Sequence, residues 1–270
     1  ISLALEIVHS FLLIHDDIID DSDIRRGKAT IHKRYEKIYG SRYGVNQAII
    51  LGDIACFDAL DLVNSSVFDD RLKIIAQKKL IKIILETAYG EALDVEYAFE
   101  KPSFAKIKAV ADLKTARYSF VGPLTIGAVF SQAQESRISA LEQFGLDVGI
   151  AFQLQDDILG VFGDESILGK STLSDMREGK NTMLIYKARE LASKNDRAIL
   201  NKVWGVKTAK ISDLKKVREI VKKCGALVWC EKEKQRLSKK ARLYIPKITI
   251  DLYFQGVLQD VVDFVGNRKN

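Results

Sequence analysis

Apolar residues recur at three- and four-residue spacing along most of this chain, and little interrupts them: 270 residues contain 3 prolines and 17 glycines. That period is the mark of amphipathic helices, and proline inside a helix costs about 3 kcal/mol. The spacing predicts helices over 2–20, 45–64, 70–97, 103–110, 112–131, 136–162, 179–193, 211–222, 226–243 and 247–266. Connections such as "NSSVFDD" at 64–70 and "AQESR" at 133–137 are short and polar. "GDESILGKSTLSDMREGKN" at 163–181 reads instead as a long charged loop, a kind of segment that often carries function. No repeat, low-complexity tract or Pro/Gly/Ser linker divides the sequence, and 47% of it is hydrophobic, enough to fill one large core. The expected fold is all-α, a single domain over 1–270 built as a bundle of about ten helices.

The remaining composition excludes more than it assigns. A net charge of +6 from 42 basic and 36 acidic residues is a mild excess, suited to an anionic substrate or a membrane surface. Without an aromatic-basic stripe it does not indicate nucleic acid. Cys56, Cys224 and Cys230 have neither CxxC spacing nor a nearby His, so they read as reduced thiols of a cytoplasmic protein. No apolar run reaches the length of a membrane span, and stable membrane insertion is not expected. The chain starts inside an amphipathic pattern with no Met and no cap, and further N-terminal helices are expected to precede it.

The acids are less evenly spread. "LLIHDDIIDDSDIRRGKATIHKRY" (12–35) places Asp16, Asp17, Asp20, Asp21 and Asp23 at the end of a hydrophobic helix, with Arg25 and Arg26 close behind. On a helix Asp16 and Asp20 are i, i+4 neighbours, and His9 lies on the same stripe two turns below. Carboxylates this close repel and raise one another's pKa; a divalent cation resolves the conflict, and hard oxygen ligands suit Mg²⁺. A second pair, Asp156 and Asp157, ends the apolar stretch "FQLQDDILGVFGD" (152–164), with Gln153 one turn upstream. A helix C-terminus disfavours anions, so two such pairs suggest two walls of one cation-holding pocket. A solvated helix end remains the alternative for either pair alone. Lys114, Lys170 and Lys180 add cations, and basic side chains with Mg²⁺ are a means of holding diphosphates. For each lysine alone, a solvated surface charge is the other reading.

"DDIIDDSDIRRG" resembles the first aspartate-rich motif, DDxxD plus RRG, of the trans-isoprenyl diphosphate synthase (polyprenyl synthetase) family. "FQLQDDILGVFGDE", followed by "LGK" and "SDMREGKNTMLI", resembles its second motif and trailing loop, and "GEALDVEY" (90–97) and "LKTARYSF" (113–120) match two further blocks. The resemblance covers nearly the whole chain. It implies an isoprenoid-synthase helical bundle around a central cavity, a homodimer, and Mg²⁺-dependent condensation of isopentenyl diphosphate onto an allylic primer (dimethylallyl, geranyl or farnesyl diphosphate). By resemblance, Asp16, Asp20 and Asp156 ligate Mg²⁺, three ions with substrate bound, and Asp17, Asp157 and Asp164 support them through water. Arg25, Lys114, Lys170 and Lys180 hold the allylic diphosphate; Arg26 and His9 hold isopentenyl diphosphate. The Lys114 carbonyl, the Thr115 hydroxyl and the Gln153 amide oxygen supply dipoles toward an allylic carbocation. No Ser/His/Asp triad is required or evident. His15 reads equally as structural or functional, and His32 as capping or packing.

The sequence departs from the family pattern at Gly160, where DDxxD would place its last Asp, and at Glu91, where Gln is commoner. The family's GGKRxRP-like block does not occur in it. Product length is read upstream of Asp16. Leu12 at i−4 shares its face, and Phe11 at i−5 lies about 140° round as a flank. An aromatic at i−5 without one at i−4 is similar to the archaeal type of geranylgeranyl diphosphate synthase and implies a C20 product, with a farnesyl or longer product as the alternative. Core packing is the other role open to Phe11. A class I terpene cyclase would carry an Asn/Asp–Ser/Thr–Glu motif that "DDILGVFGDE" does not fit, and a non-catalytic partner subunit would tend to lose the aspartates that are intact here.

Overall fold

The structure is a computed structural model that describes residues 1–164 and 172–267. Among these the chain is helical nearly throughout, with one short two-stranded hairpin. It forms two compact units, the first containing Ile1–Ile84 and the second beginning at Leu85. No helix among the described residues is long and apolar enough to cross a membrane.

In the first unit, α1 (Ser2–Ile19) buries Ala4 and Val8 and ends at Asp20, whose N–H returns to the Asp16 carbonyl at 2.9 Å. Asp21 then takes φ 47°, a left-handed conformation that Asp tolerates better than most residues, and the chain leaves the helix axis. Strands β1 (Ile24–Arg25) and β2 (Lys28–Ala29) follow, paired antiparallel with Arg25 opposite Lys28. The two loop residues, Arg26 and Gly27, have φ of 52° and 73°. Positive φ at both central positions is what a type I′ hairpin turn demands. Next come α2 (Ile31–Tyr39) and α3 (Ser41–Asn64). Gly44, Ala48 and Gly52 recur every four residues on α3 and are all buried. A Cβ at Gly44 would overlap the backbone of α2, and one at Gly52 would overlap the His15 ring on α1. Small residues therefore let all three helices approach closely. Helix α4 (Asp70–Tyr97) continues the chain into the second unit.

The second unit is organised around α7 (Glu135–Phe162), which buries side chains over most of its circumference, among them Phe144, Val148, Leu154 and Ile158. A helix apolar on every side belongs at the centre of a bundle. Against it pack α5 (Phe104–Val110) with a π-helical segment (Ala111–Val121), α6 (Gly122–Phe130), α8 (Ser174–Glu178), α9 (Met183–Leu191), α10 (Lys194–Val203), α11 (Ile211–Lys223), α12 (Ala226–Arg242), α13 (Ile245–Ile248) and α14 (Leu252–Asn267), directly or through one another.

The departures from the periodicity reading have local causes. The helix expected over 112–131 is two elements, because the backbone widens to π geometry over Ala111–Val121. Helix α2 escaped because "IHKRYEKIY" carries four charges in nine residues, with only His32 buried. Helix α10 also escaped, although a signal was present: Ser193 caps it by accepting from the Asp196 N–H at 3.2 Å. The loop expected over 163–181 contains the short helix Ser174–Glu178.

Candidate functional site

In the first unit the last turn of α1 sorts its acids by direction. Asp16 and Asp20, one turn apart, share a face, while Asp17 turns inward and is 4% exposed. The hairpin carries Arg25 back over this turn. Its Nε donates to Asp17 Oδ1 at 2.7 Å and its Nη2 to Asp16 Oδ2 at 2.8 Å. Burial pushes the Asp17 carboxyl up, against the downward pull of Arg25. Lys33, a residue that sequence reasoning did not single out, lies 2.9 Å from Asp21 and 3.4 Å from Asp23. The acids outside the DDxxD frame therefore have a cation of their own. Arg26, held in the turn, reaches His9 at 3.5 Å. Burial and the two arginines lower the His9 pKa despite Glu6, so its neutral ring accepts from the guanidinium.

One turn below, Phe11 stands edge-on to His15, with ring centroids 5.0 Å apart at 79°. Leu12 is half-buried on the Asp16 face. His32 is 3% exposed; its carbonyl lies against Gly44 of α3, and its Nε2 is 3.9 Å from Asp21.

In the second unit the residues of interest form a hydrogen-bonded chain across three elements. The Thr115 hydroxyl on the π-segment donates to Gln153 Oε1 at 2.6 Å. Gln153 Nε2 donates to Asp157 Oδ1 at 2.8 Å, and the Met183 N–H at the start of α9 donates to Asp157 Oδ2 at 2.8 Å. Asp157 is buried, which pushes its carboxyl up to about 7 despite the Gln153 hydrogen bond, with Asp156 adding to the rise. Asp157 thus faces inward as a brace, the same division of labour as Asp17 in the first unit. Asp156, its neighbour in sequence, is half-buried.

Lys114 is not presented as a bare cation. Its Nζ lies 2.8 Å from Glu91 and 2.9 Å from Asp94 on α4. Lys180 lies 3.1 Å from Glu178, and its carbonyl accepts from the Trp204 indole at 3.0 Å. Where the family's last DDxxD carboxylate would stand, Gly160 leaves space that the Asp175 carboxylate of α8 enters. Asp164 is exposed at the end of α7, and Lys170 lies outside the described residues.

The π-segment owes its position to Gly149. A Cβ there would overlap Ala116, so glycine lets the two backbones touch. π-Helical turns concentrate at functional sites, and this one carries Lys114 and Thr115 together.

The donor set fits a hard divalent cation. Among the described residues no three His, Cys, Asp or Glu side chains converge as a ready cage. Mg²⁺ does not require one: it takes one or two carboxylates and completes its octahedron with water and phosphate. Asp16 with Asp20, and Asp156, offer such oxygens.

The family model for polyprenyl synthetase matches residues 1–221. The geranylgeranyl diphosphate synthase of Sulfolobus acidocaldarius is 36% identical over 225 residues, covering 82% of this chain and 65% of that protein. The geranylfarnesyl diphosphate synthase of Aeropyrum pernix is 30% identical over 99% of this chain and 82% of its own length. The chain thus spans under two thirds of the Sulfolobus relative's length. Among solved structures, a Corynebacterium glutamicum geranylgeranyl pyrophosphate synthase complexed with isoprenyl diphosphate and magnesium superposes with a TM-score of 0.93. It is 31% identical, and the match covers 98% of this chain and 77% of that one. The chain belongs to the polyprenyl synthetase family.

Proposed function

We propose that this protein is a Mg²⁺-dependent prenyltransferase that condenses isopentenyl diphosphate with an allylic diphosphate to give an all-trans polyprenyl diphosphate, geranylgeranyl diphosphate first among them. The observation that carries the reading is the end of α1: two carboxylates one turn apart, with Arg25 braced by Asp16 and Asp17 beside them. A diphosphate needs both metal and guanidinium, and this turn offers partners for each.

Asp16, Asp20 and Asp156 would hold the magnesium, three ions when substrate is bound, with Asp17 and Asp157 as their inward supports. Bound magnesium supplies positive charge to the leaving diphosphate as the allylic C1–O bond breaks. Arg25, Lys114, Lys170 and Lys180 bind that diphosphate, while Arg26 and His9 bind isopentenyl diphosphate. The Thr115 hydroxyl directs its proton to Gln153, so its remaining lone pairs are available to an allylic cation. The released diphosphate takes the final proton. The prenyl chain would run along α1 toward its N-terminus, past Leu12 and Phe11.

The pairing of two copies has support from an exposed stripe on α3: Ile50, Ile54 and Phe57 are 50%, 50% and 71% exposed at i, i+4, i+7 spacing. A second reading of product length, C25, is favoured by the Aeropyrum relative named as a geranylfarnesyl diphosphate synthase.

The test is an assay of the protein with isopentenyl diphosphate, Mg²⁺ and each of dimethylallyl, geranyl and farnesyl diphosphate, with chain length read by chromatography. A C20 product abolished by EDTA is expected. Absence of elongation from every primer, in the presence of Mg²⁺, would overturn the reading.

A further inference from the structure

We infer that His15, seated in the notch at Gly52, is a positioning residue for product length: it fixes the ring of Phe11 and so sets how far the prenyl chain can extend along α1. The inference rests on the prenyltransferase reading above.

Four observations converge on the imidazole. Gly52 is buried on α3, and a Cβ there would occupy the place of His15 Nε2 and Cδ2. The ring therefore fills a cavity that only glycine leaves open. Nε2 is 3.2 Å from the Ile49 carbonyl one turn earlier on α3. A carbonyl can only accept, so Nε2 carries the proton and the tautomer is assigned. Asp53 Oδ1 lies 3.7 Å from the same nitrogen, on the other side of Gly52 in sequence. Phe11, one turn before His15 on α1, meets the ring edge-on at 5.0 Å, a geometry in which aromatic pairs attract. The imidazole is thus restrained by shape and by a hydrogen bond, and it is the neighbour against which Phe11 rests.

That restraint is what a length stop requires. A Phe side chain on a helix surface can change rotamer in nanoseconds and would swing away from an advancing isoprene unit. Against a ring held in the notch at Gly52, the swing has to break the ring contact. Two helices therefore define the stop: His15 on α1, just outside the DDxxD motif, and the notch at Gly52 on α3.

Products from geranyl diphosphate and isopentenyl diphosphate separate the alternatives, because the readout is the ratio of chain lengths within one reaction. A purely structural role for His15 would lower total turnover and leave that ratio alone. His15→Ala is expected to raise the fraction of products longer than C20 severalfold. Gly52→Ala, which evicts the ring, should shift the ratio in the same direction, and the double variant should shift it no further than His15→Ala alone. Phe11→Ala should lengthen the product too, and adding His15→Ala to it should change nothing more. If Phe11→Ala lengthens the product while His15→Ala and Gly52→Ala keep the parental ratio, the lock is refuted and Phe11 acts alone. If Phe11→Ala also leaves the ratio unchanged, the stop lies elsewhere and the inference falls with it. A protein that elongates nothing sinks the enzymatic reading and this inference together.

Discussion

The ammonium of Lys114 is shared between Glu91 and Asp94, at 2.8 and 2.9 Å, with all three side chains about four-fifths buried. Among the described residues, two carboxylates and one cation leave the cluster net negative where a diphosphate is proposed to bind. Largely buried charges interact more strongly than exposed ones, so Glu91 opposes the substrate as well as steadying the lysine. Glu91→Gln should therefore lower the KM for the allylic diphosphate roughly three- to tenfold, an effect of about 1 kcal/mol, with kcat changed less. An unchanged KM would mean that Lys114 is already turned to its acids when substrate binds. Asp157 makes a different prediction. Its carboxyl is raised from 3.8 to about 7 by burial, so between those values the folded chain holds a proton that the unfolded chain has lost. Stability then falls as pH rises through that window, by about 1.4 kcal/mol for each pH unit while the difference lasts. In EDTA, melting temperature should decline from about pH 4 to about pH 7, and Asp157→Asn should flatten the decline while lowering stability at acid pH through its lost acceptor. A parental slope in the variant would assign the dependence to another group. The types of these residues were legible in the sequence; their partners were not. Periodicity placed Asp16 and Asp20 on one face, but nothing in residue order tells which of two adjacent aspartates turns inward, or that Lys33 serves Asp21 and Asp23.

At the scale of elements, the long helices were readable because their apolar stripes are long. Ranges 70–97 and 136–162 reappear as Asp70–Tyr97 and Glu135–Phe162. The π-segment was not readable, since a widened turn has no composition of its own. It depends on a contact distant in sequence, the approach of Ala116 to Gly149. Gly149→Ala would place a methyl group against backbone that cannot rotate aside, and overpacking of this kind costs about 1–3 kcal/mol. The variant should lose that much in urea unfolding, and the displaced π-segment should weaken the Thr115–Gln153 bond and cut kcat more than KM. A loss of stability with kcat intact would show that Thr115 does not depend on this packing. The hairpin was not legible: "RRG" was read for its cations alone. The role of glycine is clear only once Arg26 and Gly27 are seen at φ 52° and 73°, because that turn returns Arg25 to α1.

For the molecule as a whole, the sequence specified the family and the helical class because four motifs and one period agree along the chain, and consistency across levels is what makes a fold recognisable. Surface was harder to read. Periodicity predicts a helix over 45–64 but does not tell which of its apolar residues are covered; Ile50, Ile54 and Phe57 are exposed. On α4, Ile74 and Ile81 are likewise 53% and 42% exposed. Single exposed apolar residues are ordinary, but a continuous stripe marks an interaction surface. A symmetric dimer meets the demand most simply, since the same patch can cover itself. Sedimentation equilibrium should then give twice the chain mass. Ile54→Asp combined with Phe57→Asp should give the monomer, because two carboxylates on each copy would be desolvated against like charges. Exposed substitutions of this kind change the stability of a single chain by only about 0.5 kcal/mol, so the circular dichroism spectrum should keep its helical form. A double variant that still sediments as a dimer would move the interface off α3, and a parental chain that sediments as a monomer would leave the stripe to a different partner.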